Sequence, residues 1–213
     1  MIALPEIIRD VKKVMNEAGD EEEAILISED KVNLDLYIEN AVSSAVTFVQ
    51  KNSPIKNVNP KSNKIEAIKN EDGETGYIIC PSDYVCLIGL KMSKWNRICI
   101  TAYPEGSEAW AQQMNPYTRS GPNKPCCIEG SADDGKRIIS YFSIPEGQEH
   151  KVSLFRYEAS FNRNEGLNCT NDFLYKAVVY KAASLVYEMF QDVGSSQVLE
   201  NEALKFLSIS QSK

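Results

Sequence analysis

The sequence is poor in histidine and in long apolar runs, and it lacks the common phosphate-binding glycine motifs. His150 is the only histidine among 213 residues, so a Ser–His or Cys–His dyad would have to use it as the base. The apolar runs fall far short of the ~20 residues that a membrane span requires. Neither Gly-x-Gly-x-x-Gly nor the P-loop pattern occurs. We therefore expect no enzyme, no cofactor and no membrane contact.

Basic charge is also scarce. Acidic residues outnumber basic ones 30 to 23, which gives a formal net charge of −7. A general nucleic-acid coat would carry a basic surface to displace counterions from phosphate, so this class is disfavoured. Hydrophobic residues make up 43% of the chain, which excludes disorder. The length suits one domain with a sizeable core, or two small lobes.

The N-terminus carries no secretory signal pattern, because charges arrive by Glu6 without a preceding basic and apolar run. We expect synthesis in a reducing cytosol. Six cysteines stand at positions 80, 86, 99, 126, 127 and 169. Zinc sites use closely spaced Cys pairs, whereas the nearest separated pair here is Cys80-x5-Cys86. The cysteines are expected to be small buried thiols, with no metal.

Four helices are expected from apolar residues that recur every three or four positions. The first runs from Leu4 to Ala18, with Gly19 as its stop and Asp20–Glu23 as a solvated link. The second spans Asn33–Lys51 and ends before Pro54, which disfavours helix in the preceding residue. The third covers Phe173–Asp192, capped by Asn171 or Asp172 and ended by Gly194. The last begins at Ser195 or Ser196.

Between these helices the pattern changes to β-formers and turn residues. A hairpin is expected around Asn70–Thr75, and a second one joins Tyr84–Met92 to Arg97–Tyr103. A short helix is expected around Ser107–Met114. Three strands follow, the first two joined by the turn Asp133–Gly135: Cys126–Glu129, Lys136–Ile144 and Lys151–Tyr157.

This order predicts an α+β fold, in which the N- and C-terminal helices form one helical bundle with a central antiparallel β insertion. The expected divisions are residues 1–63 for the N-terminal helices, 64–165 for the β block with its long loops, and 166–213 for the C-terminal helices. The latter pack with the N-terminal helices as one helical core.

Several residues are candidates for chemistry or binding. His150 lies in a polar turn, where a solvated side chain is the simpler interpretation. Trp95 and Trp110 could anchor an interface or stack on a sugar, although core packing is the simpler role. The irregular segments 52–63 and 104–125 are long, and loops of this length usually serve function or partner contact.

The chain resembles small structural proteins encoded among the virion genes of tailed bacteriophages that infect Bacteroides-like bacteria, the crAss-like phages among them. The resemblance covers nearly the full length in layout and is carried by diffuse patterns: Ile7–Val11, the helix Leu34–Gln50 that ends at Pro54, Ile79–Leu87, Lys91–Trp95, and the closing helix Tyr175–Leu185.

This resemblance implies a head-to-tail connector, also called an adaptor or ring protein. Such proteins form a ring, typically of twelve copies, that connects the portal to the tail around the DNA channel. The implied partners are other copies, the portal protein and other tail rings, and DNA passes through the lumen without specific binding. The implied location is the virion neck or tail, assembled in the host cytoplasm. The family offers no binding motif, so the interface residues stay unknown.

Two alternatives remain open. One is a receptor- or carbohydrate-binding module of a phage tail, which would use Trp95, Trp110 and Tyr117. The other is a cysteine hydrolase, in which His150 would activate one of the six cysteines.

Overall fold

A computed structural model describes residues 1–18, 31–142, 144–145 and 147–210. Within these ranges the chain forms five helices and eight strands, in the order α1, α2, β1–β5, α3, β6–β8, α4, α5. The α+β class is therefore confirmed, with helices at both ends of the sequence. None of the helices in the described ranges is long and apolar enough to cross a membrane. Gly19 and Asp20–Glu23 lie outside the described residues.

The chain divides into two compact units. The helical unit combines Met1–Pro60 with Ser160–Lys213, and the β unit is the continuous segment Lys61–Ala159.

The helical unit contains α1 (Leu4–Ala18), α2 (Lys31–Asn52), α4 (Asp172–Met189) and α5 (Val193–Ile209). All four helices contribute to one buried cluster, because each has an apolar stripe that must be covered. The cluster includes Ile7, Val11, Ile38, Val42, Val46, Ala177, Val178, Ala182, Leu199 and Leu207. The helix expected at Asn33–Lys51 forms, and it stops at Asn52, two residues before Pro54.

The junction between α4 and α5 differs from the expectation. Gly194 does not end α4, which stops at Met189, but lies in the first turn of α5. The reversal uses Gln191, whose φ of 64° is in the left-handed region, and Asp192 then caps α5 by accepting from the Ser195 amide. An aspartate cap satisfies an otherwise orphaned amide as well as serine would. The prediction was wrong because Gln191, and not a glycine, takes the left-handed conformation between the two helices.

The β unit contains two sheets, of three and five strands. The order is β1-β8-β4 in the three-stranded sheet and β2-β3-β7-β6-β5 in the five-stranded sheet. The strands are β1 (Pro60–Ser62), β2 (Ile68–Lys69), β3 (Gly76–Ile79), β4 (Tyr84–Met92), β5 (Ala102–Pro104), β6 (Cys127–Ser131), β7 (Arg137–Tyr141) and β8 (Val152–Ala159). Both sheets contribute to one buried cluster that includes Leu87, Leu90, Trp95, Ile139, Tyr141 and Phe155.

Several β expectations are confirmed. The β2–β3 hairpin forms around Asn70–Thr75, and β6 and β7 pair in antiparallel register around Asp133–Gly135. The short helix α3 (Glu108–Met114) also forms, and Ser107 caps it by accepting from the Trp110 amide.

The second expected hairpin is wrong in its pairing. β4 pairs along its length with β8, and only the bridge between Leu90 and Cys99 joins it to the following segment. That segment becomes β5, which pairs with β6 in parallel, so the insertion is not wholly antiparallel. Parallel neighbours need a crossover of about a dozen residues or more, and the stretch that contains α3 supplies it.

The contribution of the Asn171 cap to the stability of α4 can be tested by mutation. Its side chain accepts from the Phe173 and Leu174 amides at the start of α4. Asn171→Ala should lower the free energy of unfolding by about 1 kcal/mol, because these amides lose their acceptor. Urea denaturation measures the change, and Gln197→Ala on the exposed side of α5 is the control. Equal effects of the two substitutions would show that the cap does not stabilise α4.

Candidate functional site

A cleft of about 840 Å³ opens in the β unit between residues 62–67 and residues 149–155. It exists because β1 has only three residues and ends at Ser62, whereas the neighbouring β8 has eight. Beyond Ser62 the two chain segments separate, and no backbone hydrogen bond joins residues 63–67 to residues 149–155. The volume falls within the range of ligand-binding clefts, roughly 300–1,000 Å³. We call this feature the β8 cleft.

His150 lies on the β8 cleft and is held at both ring nitrogens. Nδ1 is 2.8 Å from the Tyr141 hydroxyl oxygen, and Nε2 is 3.1 Å from the Gly73 carbonyl oxygen. With a proton on Nε2 the ring donates to the Gly73 carbonyl, and Nδ1 can accept from the Tyr141 hydroxyl, whose single proton also has the Ile68 carbonyl as an acceptor at 3.4 Å. The expectation of a solvated histidine was therefore wrong. The ring joins three distant segments, and the contacts occupy the atoms that a general base would use.

Tyr141 is the buried partner of this histidine. Its burial raises the pKa of the phenol to about 12, so the hydroxyl remains a donor near neutral pH. The ring also meets Trp95 edge-on, with 6.4 Å between centroids. Gly76 permits this arrangement, because an added Cβ would lie 2.3 Å from the Tyr141 hydroxyl oxygen and 2.3 Å from the Ile68 carbonyl oxygen.

The turn that presents the Gly73 carbonyl is itself fixed by Asp72. Its carboxylate accepts from the Glu74 amide at 3.1 Å, the Thr75 amide at 2.9 Å and the Thr75 hydroxyl at 2.8 Å. Burial alone would raise the pKa of Asp72, but these hydrogen bonds outweigh it and the pKa lies below its usual value. The ionised carboxylate therefore holds the turn at neutral pH.

The six cysteines form no disulfide, and all are buried except Cys86, which is half-buried. This confirms the expected role as small buried thiols for five of them. The Cys127 thiol donates to the sulfur of Cys99, which lowers the pKa of Cys99 to about 7, whereas burial raises the pKa of Cys80 to about 12. The ring nitrogens of His150 contact Tyr141 and Gly73, not a cysteine. Across the described ranges, no group of three or more His, Cys, Asp or Glu side chains could hold a metal ion.

The three aromatic residues that the binding-module alternative requires differ in how exposed their side chains are. Trp95 is only 2% exposed and belongs to the core. Trp110 is partly buried against a small cluster that contains Cys126, Ile128 and Phe142. Tyr117, in contrast, is 98% exposed.

Side-chain hydrogen bonds hold the loop that carries Tyr117. Gln113 is buried, and its side-chain oxygen accepts from both the amide and the hydroxyl of Ser120, at 3.0 and 2.8 Å. Arg119 donates to the Gln113 carbonyl at 3.0 Å. Tyr117 is thus presented on an ordered loop.

Each unit also exposes apolar side chains. In the helical unit, Tyr37 and Phe190 meet edge-on with 5.3 Å between ring centroids, and both rings are at least 40% exposed. Met189 and Val193 flank Phe190 along the chain and are exposed as well. We call these four residues the helix-turn patch.

In the β unit, three of the exposed apolar residues lie on β5 or on the segment that leads into it. Ile98, Ile100 and Tyr103 are exposed, and Ile100 is exposed to 69%. We call these three residues the β-edge patch. Sequence reasoning missed both patches, since their residues are apolar and carry no motif.

No known protein family matches this chain, and no curated protein resembles it significantly.

The contacts of His150 can be tested by a double-mutant cycle. His150→Ala should lower the free energy of unfolding by about 1–3 kcal/mol, because the Tyr141 hydroxyl and the Gly73 carbonyl lose a partner. Tyr141→Phe should cost about 1 kcal/mol, and the double variant should cost less than the sum, since the two side chains share one hydrogen bond. Urea denaturation curves give the free energy of unfolding of all three variants, and Lys64→Ala is the surface control. Strict additivity would contradict the shared bond.

Proposed function

We propose that this chain is a structural virion protein that forms a ring in the neck or tail of a tailed bacteriophage, where it connects the portal to the tail around the DNA channel. The observation that carries the proposal is that each compact unit leaves its own apolar patch uncovered: the helix-turn patch in one and the β-edge patch in the other. Patches of this kind usually mark protein contacts.

Two different patches suit a ring. A closed ring of identical subunits uses a heterologous interface, in which one surface of a subunit meets a different surface of the next. The helix-turn patch contributes an aromatic pair, and aromatic residues are enriched at the centres of interfaces. The β-edge patch contributes two isoleucines and a tyrosine. Burying such side chains between copies contributes roughly 25 cal/mol per Å² of apolar area.

The charge is compatible with a channel that DNA traverses. The net charge of −7 repels the phosphate backbone at long range, so DNA would pass without specific binding. The proposed partners are other copies, in a ring of twelve, together with the portal protein and neighbouring tail rings. The proposed location is the virion.

Native mass spectrometry of the purified chain, alone and with the portal protein of the same phage, tests this proposal. We expect a closed ring, and we expect Phe190→Lys to shift the protein to monomers, because a charge buried at an interface is costly. Gln197→Lys, on the exposed side of α5, is the matched control and should leave the ring intact. Circular dichroism verifies that both variants fold.

A monomer in both samples would overturn direct docking to the portal. A ring that forms equally well with Phe190→Lys would show that the helix-turn patch is not the contact.

The receptor- or carbohydrate-binding alternative keeps one observation in its favour, the braced and almost fully exposed Tyr117. An exposed aromatic ring can stack on a sugar face. If the alternative holds, glycan-microarray binding should be lost in Tyr117→Ala and retained in Tyr103→Ala, whose ring lies in the β-edge patch. The absence of glycan binding by the unmodified protein would remove it.

A further inference from the structure

The β8 cleft borders an incomplete sheet edge. β8 pairs with β4 along one side, but on its other side β1 supplies only three residues against the eight of β8. The N-terminal part of β8 therefore has no neighbouring strand on the side that lines the cleft. An uncovered strand edge presents amide and carbonyl groups that can pair with another chain.

The register shows that the backbone groups of Phe155 point away from β4, toward the cleft side. Leu90 exchanges both of its hydrogen bonds with Cys99, each at 2.8 Å, so it directs no backbone group toward Phe155, its partner on β8. In an antiparallel pair of this kind, the opposite residue directs its amide and carbonyl away from the ladder. The Phe155 carbonyl indeed accepts from the Ser62 hydroxyl at 3.2 Å, which lies on the cleft side.

The opposite wall of the cleft is also unpaired. Residues 63–67 make no backbone hydrogen bond to any described residue. Four partly buried apolar side chains line the space: Ile65, Ala67, Val152 and Leu154. The charged side chains on the lining balance one another, with Lys64 and Lys151 against Glu66 and Glu149. The cleft thus offers unpaired backbone on the wall of residues 63–67. On the β8 wall the Phe155 backbone faces the cleft, with the carbonyl already accepting from Ser62. The lining adds apolar surface and no net charge from these four residues.

We propose that the β8 cleft binds an extended peptide segment as an added β-strand, and that the segment is residues 24–28 of a second copy. Addition of a strand to an open sheet edge is a recurrent mode of peptide recognition, in which backbone hydrogen bonds supply affinity. The choice of a second copy rests on the proposed ring, whereas the peptide site does not.

The sequence of residues 24–28 supports this choice. It reads Ala-Ile-Leu-Ile-Ser, an uncharged run between Glu21–Glu23 and Glu29–Asp30, and it lies outside the described residues. Two isoleucines in five residues suit a strand. The acidic flanks limit the inserted part to about the length of the cleft wall.

The site is tested with a fluorescein-labelled peptide of residues 21–30 and full-length protein in which residues 24–28 are replaced by glycine and serine. We expect saturable binding by fluorescence anisotropy, and slower amide hydrogen exchange in residues 63–67 and 152–155. The control peptide carries Ile25→Pro and Ile27→Pro. It should bind at least tenfold more weakly, because proline has no amide hydrogen to donate.

The absence of binding, or protection elsewhere in the chain, would overturn the peptide site. Amide hydrogen exchange of the unmodified protein at several concentrations tests whether the segment comes from a second copy. Over concentrations at which the copies dissociate, protection of the cleft that grows with concentration supports a second copy, and protection that is unchanged in the monomer overturns it.

Native mass spectrometry of the glycine–serine protein separates this inference from the proposed function. If that protein forms a ring and does not bind the peptide, the ring stands and the peptide site fails. If the peptide binds while the unmodified protein stays monomeric, the site stands and the ring fails.

Discussion

Burial of α4 is the constraint on which the helical unit depends. Ten of its residues are buried, among them Lys181 and Ser184, so one neighbouring helix is not enough to cover it. The Tyr187 hydroxyl donates to the Met15 carbonyl of α1 at 2.8 Å, and Lys181 pairs with Glu200 of α5 at 2.8 Å. The apolar faces of α1, α2 and α5 complete the cover. Segments from the first 60 residues and the last 50 must therefore meet.

The same constraint explains why the helices were predictable. An amphipathic helix that packs on a shared core repeats its apolar residues every three or four positions, and this pattern is visible without a structure. The stripe of α2 and the Asn171 cap of α4 both belong to this local kind of information. The α4–α5 junction was not predictable in the same way, because the left-handed residue is Gln191 and not a glycine.

The β unit was predictable only in part. The two hairpins closed by short turns, β2–β3 and β6–β7, were predicted with their pairing. In contrast, β1 lies in a segment that was expected to be irregular, and the partner of β4 was wrong. A strand's alternation shows that it has a buried face, and it does not show which neighbour it pairs with. The segment after β4 is the example, since it makes one bridge to β4 at Cys99 and then pairs with β6 in the other sheet.

The candidate site was missed for the same reason. Gly73 is far in sequence from Tyr141 and His150, and no spacing rule joins the three. The β8 cleft depends on the difference in length between β1 and β8, which becomes visible only when the partners are known. Trp95 and Trp110, which the sequence analysis singled out, turned out to be packing residues.

The discontinuity of the helical unit has a consequence for synthesis on the ribosome. The β unit is one continuous segment, Lys61–Ala159, and it is fully translated before α4 emerges. Domains fold as units while the chain is made, N-terminal parts first. α1 and α2 must wait through about a hundred residues, with their apolar stripes uncovered, until α4 is available. We therefore expect nascent chains that stop before residue 172 to need chaperone protection, even though their β unit is complete.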